Sequence, residues 1–202
     1  MRAAAADFDK ESLDVSSASA LSDQDSENKH DFEDDGPFQG TEGDALLVEQ
    51  LSNEWDIKDR VVLGTGVAKL PRVNLIHPSG SKAEVYLLGA NVGSWRLANS
   101  SEVLYVRPDK DITSHDPIPG GIPICFPQFG PGGGSPGSLP LGAPSMQQHG
   151  FARNCTWEVV STDDDLGDSG EDVGVKLRLT DSEYTRSMWD FSFEATYTVV
   201  LE

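Results

Sequence analysis

Arg72-Val73-Asn74-Leu75-Ile76-His77-Pro78-Ser79-Gly80-Ser81-Lys82-Ala83-Glu84-Val85-Tyr86-Leu87-Leu88 is the stretch on which the fold class turns. It reads as strand, turn, strand. Proline presets φ and glycine tolerates positive φ, so Pro78-Ser79-Gly80-Ser81 predicts the turn. Ala83, Val85 and Leu87 alternate with Glu84, Tyr86 and Leu88, the period that sends successive side chains to opposite faces of a sheet. Outward from this hairpin, similar short runs recur every roughly eight to ten positions. Strands are expected near 60–64, 72–77, 82–88, 92–98 and 102–107, and again near 155–161, 173–180 and 191–201. No long helical period interrupts them. An all-β protein, an antiparallel β-sandwich or barrel, follows.

Before the first strand the composition is different. Residues 1–44 hold 13 Asp+Glu against 3 Lys+Arg, so about half of the formal charge of -19 lies there. With Phe8, Phe32 and Phe38 as its aromatics, this segment buries too little apolar surface to offset its ordering entropy, and it is expected to be a disordered acidic tail. A solvated tail is the plain reading, an acidic interaction arm the functional one. Residues 45–58 form a short helix or linker, because Leu46, Leu47, Leu51 and Trp55 are spaced as one helical face. Residues 59–202 are the sandwich. Residues 191–201 alternate well up to Glu202 with no closing turn, so the sandwich is expected to be the N-terminal part of a longer domain, with an unpaired edge at this strand.

The charge balance excludes a nucleic-acid binder, which needs a cationic surface. No run reaches the roughly 18 apolar residues of a membrane span. Cys125 and Cys155 are too few for a disulfide framework, and no Cys/His cluster has metal-ligand spacing, so no metal is implied. Met1 to Asp7 lacks the apolar core of a secretory leader and is too acidic for a typical transit peptide, which points to the cytoplasm. The sequons at Asn99 and Asn154 then read as chance, and Asp163-Asp164-Asp165 as a hairpin tip.

Chemistry concentrates in two stretches. In 117–137, rich in Pro and Gly, regular structure is excluded, yet Ile122, Ile124, Phe126 and Phe129 need cover, so a partly buried loop is expected. Gly130 to Gly137 lacks the ending of a phosphate-cradling loop, and Gly64-Thr65-Gly66 lacks its context; both read as turns. The second stretch is Gln147-Gln148-His149-Gly150-Phe151-Ala152-Arg153. A lone His beside Gly is usually a turn residue. Beside Gln and Arg it also suits a hydroxylated ligand carrying phosphate or carboxylate. His30, His77 and His115 have no such neighbours.

Gly120-Gly121-Ile122-Pro123-Ile124-Cys125-Phe126-Pro127-Gln128-Phe129-Gly130, followed by Gln148-His149-Gly150-Phe151-Ala152-Arg153-Asn154 and Trp157, resembles the glucose-6-phosphate 1-epimerase family within the aldose 1-epimerase superfamily. Ser94-Trp95-Arg96 and Tyr184-Thr185-Arg186-Ser187-Met188-Trp189-Asp190-Phe191 fit the same pattern, and Val106-Arg107-Pro108-Asp109 is similar to the plastid-type branch. The resemblance spans about 59–202. It implies a galactose-mutarotase-like sandwich and interconversion of the α and β anomers of a hexose 6-phosphate, without a cofactor. It also implies that Gln148, His149 and Arg153 bind substrate, and that the principal acid, a His, and base, a Glu, lie downstream, so that none of the residues here is catalytic. Plastid is the alternative compartment. Many members carry Arg before Gly-Gly-Ile-Pro; here the residue is Pro119, with Arg96 or Arg107 as possible substitutes. That departure favours an alternative, a non-catalytic carbohydrate-binding or complex-assembly subunit. Glu84, His115 and Asp116 are the reserve acid–base groups.

Overall fold

The computed structural model describes residues 2–3, 42–108, 110, 112–113, 116–131, 146–162 and 171–202, and only the backbone of 2–3 and 42–45. Two four-stranded antiparallel sheets face each other. One is a meander of β2 (Val61–Thr65), β3 (Pro71–Ile76), β4 (Lys82–Tyr86) and β5 (Val92–Arg96). The other runs in the order β1-β8-β7-β6, with β1 at Arg2–Ala3, β6 at Glu158–Ser161, β7 at Val173–Thr180 and β8 at Glu194–Leu201. Of the sandwich or barrel that the spacing predicts, this is the antiparallel sandwich that the family resemblance implies.

The pleat explains which side chains meet. In β3, Val73 and Leu75 are wholly buried while Arg72, Asn74 and Ile76 are partly exposed. Register pairs Val73 with Val85 and Leu75 with Ala83, so both strands send their apolar residues to one side. Val175 and Leu177 of β7 and Val199 and Leu201 of β8 close the core from the other sheet, and Phe151 and Trp157 fill it between them. Each such side chain contributes about 1.5–3 kcal/mol through burial.

Helix α1 spans Glu42–Trp55, starting ahead of the expected position 45. Leu51 and Trp55 pack on the core, and the Thr162 hydroxyl donates to the Trp55 carbonyl at 2.8 Å. A second helix, α2 (Glu183–Met188), was not legible from hydrophobic period. Its start is set by a capping box in which Ser182 and Thr185 exchange side-chain and backbone hydrogen bonds.

One expected strand is absent. Residues 102–107 make only isolated bridges, Arg96 with Glu102 and Val106 with Gly120. The Glu102 carboxylate accepts from the amides of Trp95, Val103 and Leu104, so a side chain takes donors that a ladder would use. At the other edge, β8 pairs with β7 along its whole length, and β1 covers only Val199 and Val200. Among the described residues, Glu194 to Thr198 have no strand on that side. The rest of the acidic tail between β1 and α1, His115, residues 132–137 and the acidic stretch 163–168 lie outside the described residues.

Candidate functional site

The two Pro/Gly and Gln-His-Gly stretches converge at the end of the sandwich where β4 passes into β5. Ile122 donates to the Val92 carbonyl at 3.1 Å and Thr156 bridges Leu88, so both are stitched to that turn. Gly121 has φ 69°, and a Cβ there would stand 2.3 Å from the Val92 oxygen. Only glycine lets the loop approach so closely. Beyond it, Ile122, Ile124 and Phe126 dip into the core. Phe126 meets Phe151, Trp189 and Phe193 edge-on, with centroids 5.8, 5.5 and 5.1 Å away. The expected cover fails for Phe129, which is 82% exposed.

The stretches then lock together. The Phe126 carbonyl, preceding a cis Phe126–Pro127 peptide, accepts from the Ala152 amide at 3.2 Å. Gly150, at φ 78°, lies so close that its Cβ would be 2.0 Å from the Phe126 oxygen. One residue earlier, His149 and Gly130 bond reciprocally. The His149 amide donates to the Gly130 carbonyl at 2.8 Å, and the Gly130 amide donates to His149 Nδ1 at 2.9 Å. Nδ1 is therefore an acceptor, which puts the proton of the neutral ring on Nε2. Phe129 leans on the imidazole with centroids 4.8 Å apart.

Gln148 and Arg153 complete the corner. Nε2 of His149 stands 3.5 Å from the Gln148 side-chain amide. Arg153 Nη2 donates to the Gln148 carbonyl at 2.7 Å, while its Nε is buried without a partner. The structure thus brings Gln148, His149 and Arg153 together. Three neighbours join them that the sequence did not mark as substrate-binding. Gln147 donates to the Tyr184 hydroxyl at 3.0 Å, Gln128 is buried and donates to the Pro131 carbonyl, and Phe129 stacks outside. Tyr184 comes from α2, 35 residues beyond His149, and no local spacing announces it. Burial holds its hydroxyl pKa above the ordinary value. Burial also pushes the Cys155 thiol up to about 12, so it stays protonated.

The reserve groups lie elsewhere or are committed. Glu84 pairs with Arg72, and Arg96 with Glu102 at 3.4 Å. Asp116 shares a turn with Thr113. His77 Nδ1 accepts from the Ser79 amide in the β3–β4 turn. No grouping of three or more His, Cys, Asp or Glu suited to a metal exists among the described residues. No helix is long and apolar enough to cross a membrane among them either. Chemically, the corner offers a cation, an imidazole with one nitrogen unengaged by the backbone, and amides able to donate and accept, next to an exposed aromatic ring.

Residues 71–202 match the family described as Aldose 1-epimerase. The chain is 35% identical over 136 residues to an Escherichia coli (strain K12) protein named "Putative glucose-6-phosphate 1-epimerase", covering 65% of this chain and 42% of that protein. A protein of the same name from Cenchrus ciliaris is 35% identical over 120 residues, 59% of this chain and 33% of its own length. Among solved structures, a "putative mutarotase" from Salmonella typhimurium superposes with a TM-score of 0.59 at 25% identity, over 73% of this chain and 45% of that one. The chain spans less than half the length of these relatives.

Proposed function

The chain belongs to the aldose 1-epimerase family, and on that premise we propose that it forms the substrate-holding part of a hexose-6-phosphate mutarotase. In this reading Arg153 presents its guanidinium to the phosphate, which matches a planar fork of donors to an anion. Gln148 and His149 Nε2 meet sugar hydroxyls. The reaction removes the proton from the C1 hydroxyl and protonates the ring oxygen. The C1–ring oxygen bond breaks, the aldehyde turns about C1–C2, and the ring oxygen re-adds to its other face. No atom is gained or lost. Each proton-transfer group contributes about 10²–10⁴-fold. In this reading His149 binds substrate, and both proton-transfer groups, a His acid and a Glu base, lie in the part of the relatives' length that this chain does not span. The compartment in this reading is the cytoplasm, with the plastid as alternative; imaging of a fluorescent fusion decides between them.

The observation that carries the proposal is the reciprocal His149–Gly130 pairing. It turns one ring nitrogen inward and leaves the other beside Gln148, whose carbonyl also holds Arg153. Glucose 6-phosphate binding to the chain, followed by NMR, is expected to weaken by about tenfold or more in Arg153→Ala, because charged hydrogen bonds are worth about 1.5–3 kcal/mol. Unchanged binding would overturn the assignment. Anomer exchange, read by saturation transfer, is expected from a polypeptide of the relatives' length and not from these 202 residues.

One observation favours a second reading, a non-catalytic sugar-binding or assembly subunit. Pro119, which has no side-chain donor, precedes Gly120-Gly121, and its carbonyl accepts the Arg107 amide at 2.9 Å. Tight sugar binding without exchange in the longer polypeptide would select this reading.

A further inference from the structure

On the outward face of the β2–β5 sheet lies a cavity of about 370 Å³ that shares no residue with the Gln148–Arg153 corner. The pleat builds it. Ala83 and Val85 of β4 turn into the core, so Glu84 and Tyr86 turn out, and Ser94 lies opposite Glu84 on β5. Arg96, Glu102 and Tyr105 stand around this floor.

Hydrogen-bonding capacity divides these side chains into scaffold and free groups. Glu102 is spent: it accepts from three backbone amides, the Ser94 hydroxyl and Arg96. Glu84 pairs with Arg72 through one carboxylate oxygen, leaving the other open as an acceptor. The Tyr86 oxygen accepts from the Val67 amide at 3.3 Å, which leaves its O–H proton to donate. Arg96 uses Nε on Glu102 and keeps its two terminal nitrogens for donation. Tyr105 is 69% exposed, its ring a flat apolar wall. Tyr86 is held firmly, for a Cβ at Gly66 or Gly93 would lie 2.5 or 2.8 Å from its side chain, and both positions are glycine.

The charges cancel, Arg72 against Glu84 and Arg96 against Glu102. A field with no net sign gives an anion or a cation little advantage over a neutral ligand. Interleaved donors and acceptors suit vicinal hydroxyls, each of which donates and accepts. The exposed ring suits the C–H face of a pyranose. The volume falls within the range of small-molecule sites. We infer that this cavity is a second carbohydrate subsite, taking an uncharged pyranose or the end of a neutral oligosaccharide.

The inference does not rest on the mutarotase reading, and the test keeps the two apart. Backbone amide NMR of the full chain is followed against methyl α-glucopyranoside and maltose, and separately against inorganic phosphate. The neutral sugars are expected to shift Ser94, Arg96 and Tyr105 saturably, leaving Gly130 and His149 unmoved. Tyr105→Ala and Arg96→Gln are expected to weaken binding about fivefold to tenfold, Tyr105→Ala with unchanged thermal midpoint because that side chain projects from the surface. The inference is overturned by the absence of saturable shifts at tens of millimolar sugar, by shifts confined to residues 146–153, or by phosphate competing at the cavity. Failure of phosphate to shift residues 148–153 counts against the mutarotase reading alone.

Discussion

Gly150 shows how much one atom decides. Its φ of 78° and the 2.0 Å approach of a would-be Cβ to the Phe126 oxygen leave no room for any other residue. Gly150→Ala is expected to lower stability by about 2 kcal/mol or more, through left-handed strain and a backbone clash together. Its thermal melt checks this, and the shift of the Gly130 amide signal shows whether the imidazole contact parts with it. Glu102 carries a pH dependence. Burial raises its pKa, but the hydrogen bonds from Ser94, the Trp95 and Leu104 amides and Arg96 outweigh that and hold it below the ordinary value of 4.5. A depressed folded pKa means stabilisation that is complete above the unfolded pKa and lost as pH falls through the folded one. The melting temperature is therefore expected to drop as pH falls below about 4.5, and Glu102→Gln to flatten that decline. Since the carboxylate is partly exposed, the effect is modest.

At the scale of elements, α2 depends on its cap more than on its length. Six residues are too few to hold a helix by propensity. Ser182 and Thr185 satisfy each other's amides, and Arg186 ties the segment back to Asp181 at 2.6 Å. Ser182→Ala is expected to cost about 1 kcal/mol, read from urea unfolding. Because Tyr184 reaches Gln147 from this helix, the same variant is expected to disturb the Gln147 side-chain amide signal in NMR. The element misread from sequence, residues 102–107, has β-branched and aromatic residues in a plausible pattern. A carboxylate at its first position captured the backbone donors instead.

Across the whole molecule, the two sheets share one core, with β3 of one packed against β7 of the other. Leu177, wholly buried between them, makes the point testable. Leu177→Ala is expected to cost about 2–5 kcal/mol. Tryptophan fluorescence and far-ultraviolet dichroism are expected to lose signal at the same denaturant concentration, because the main core is built by both sheets together. Separate transitions would show that the sheets are independent.

The sequence by itself determined an all-β fold of strands with one buried face, because a pleated strand exposes its faces with a period of two and that period is written directly into Val73, Leu75, Ala83, Val85, Val175, Leu177, Val199 and Leu201. It also brought Gln148, His149 and Arg153 into one short stretch, where neighbours in sequence are neighbours in space. Only the tertiary structure decided that Gly130 sets the His149 ring, that Tyr184 joins the corner from α2, and that Glu102 curls a strand-like segment into a loop. Each of these is a hydrogen bond between groups whose separation in sequence carries no period. Such contacts are fixed by where packed elements place their side chains, after the core has formed.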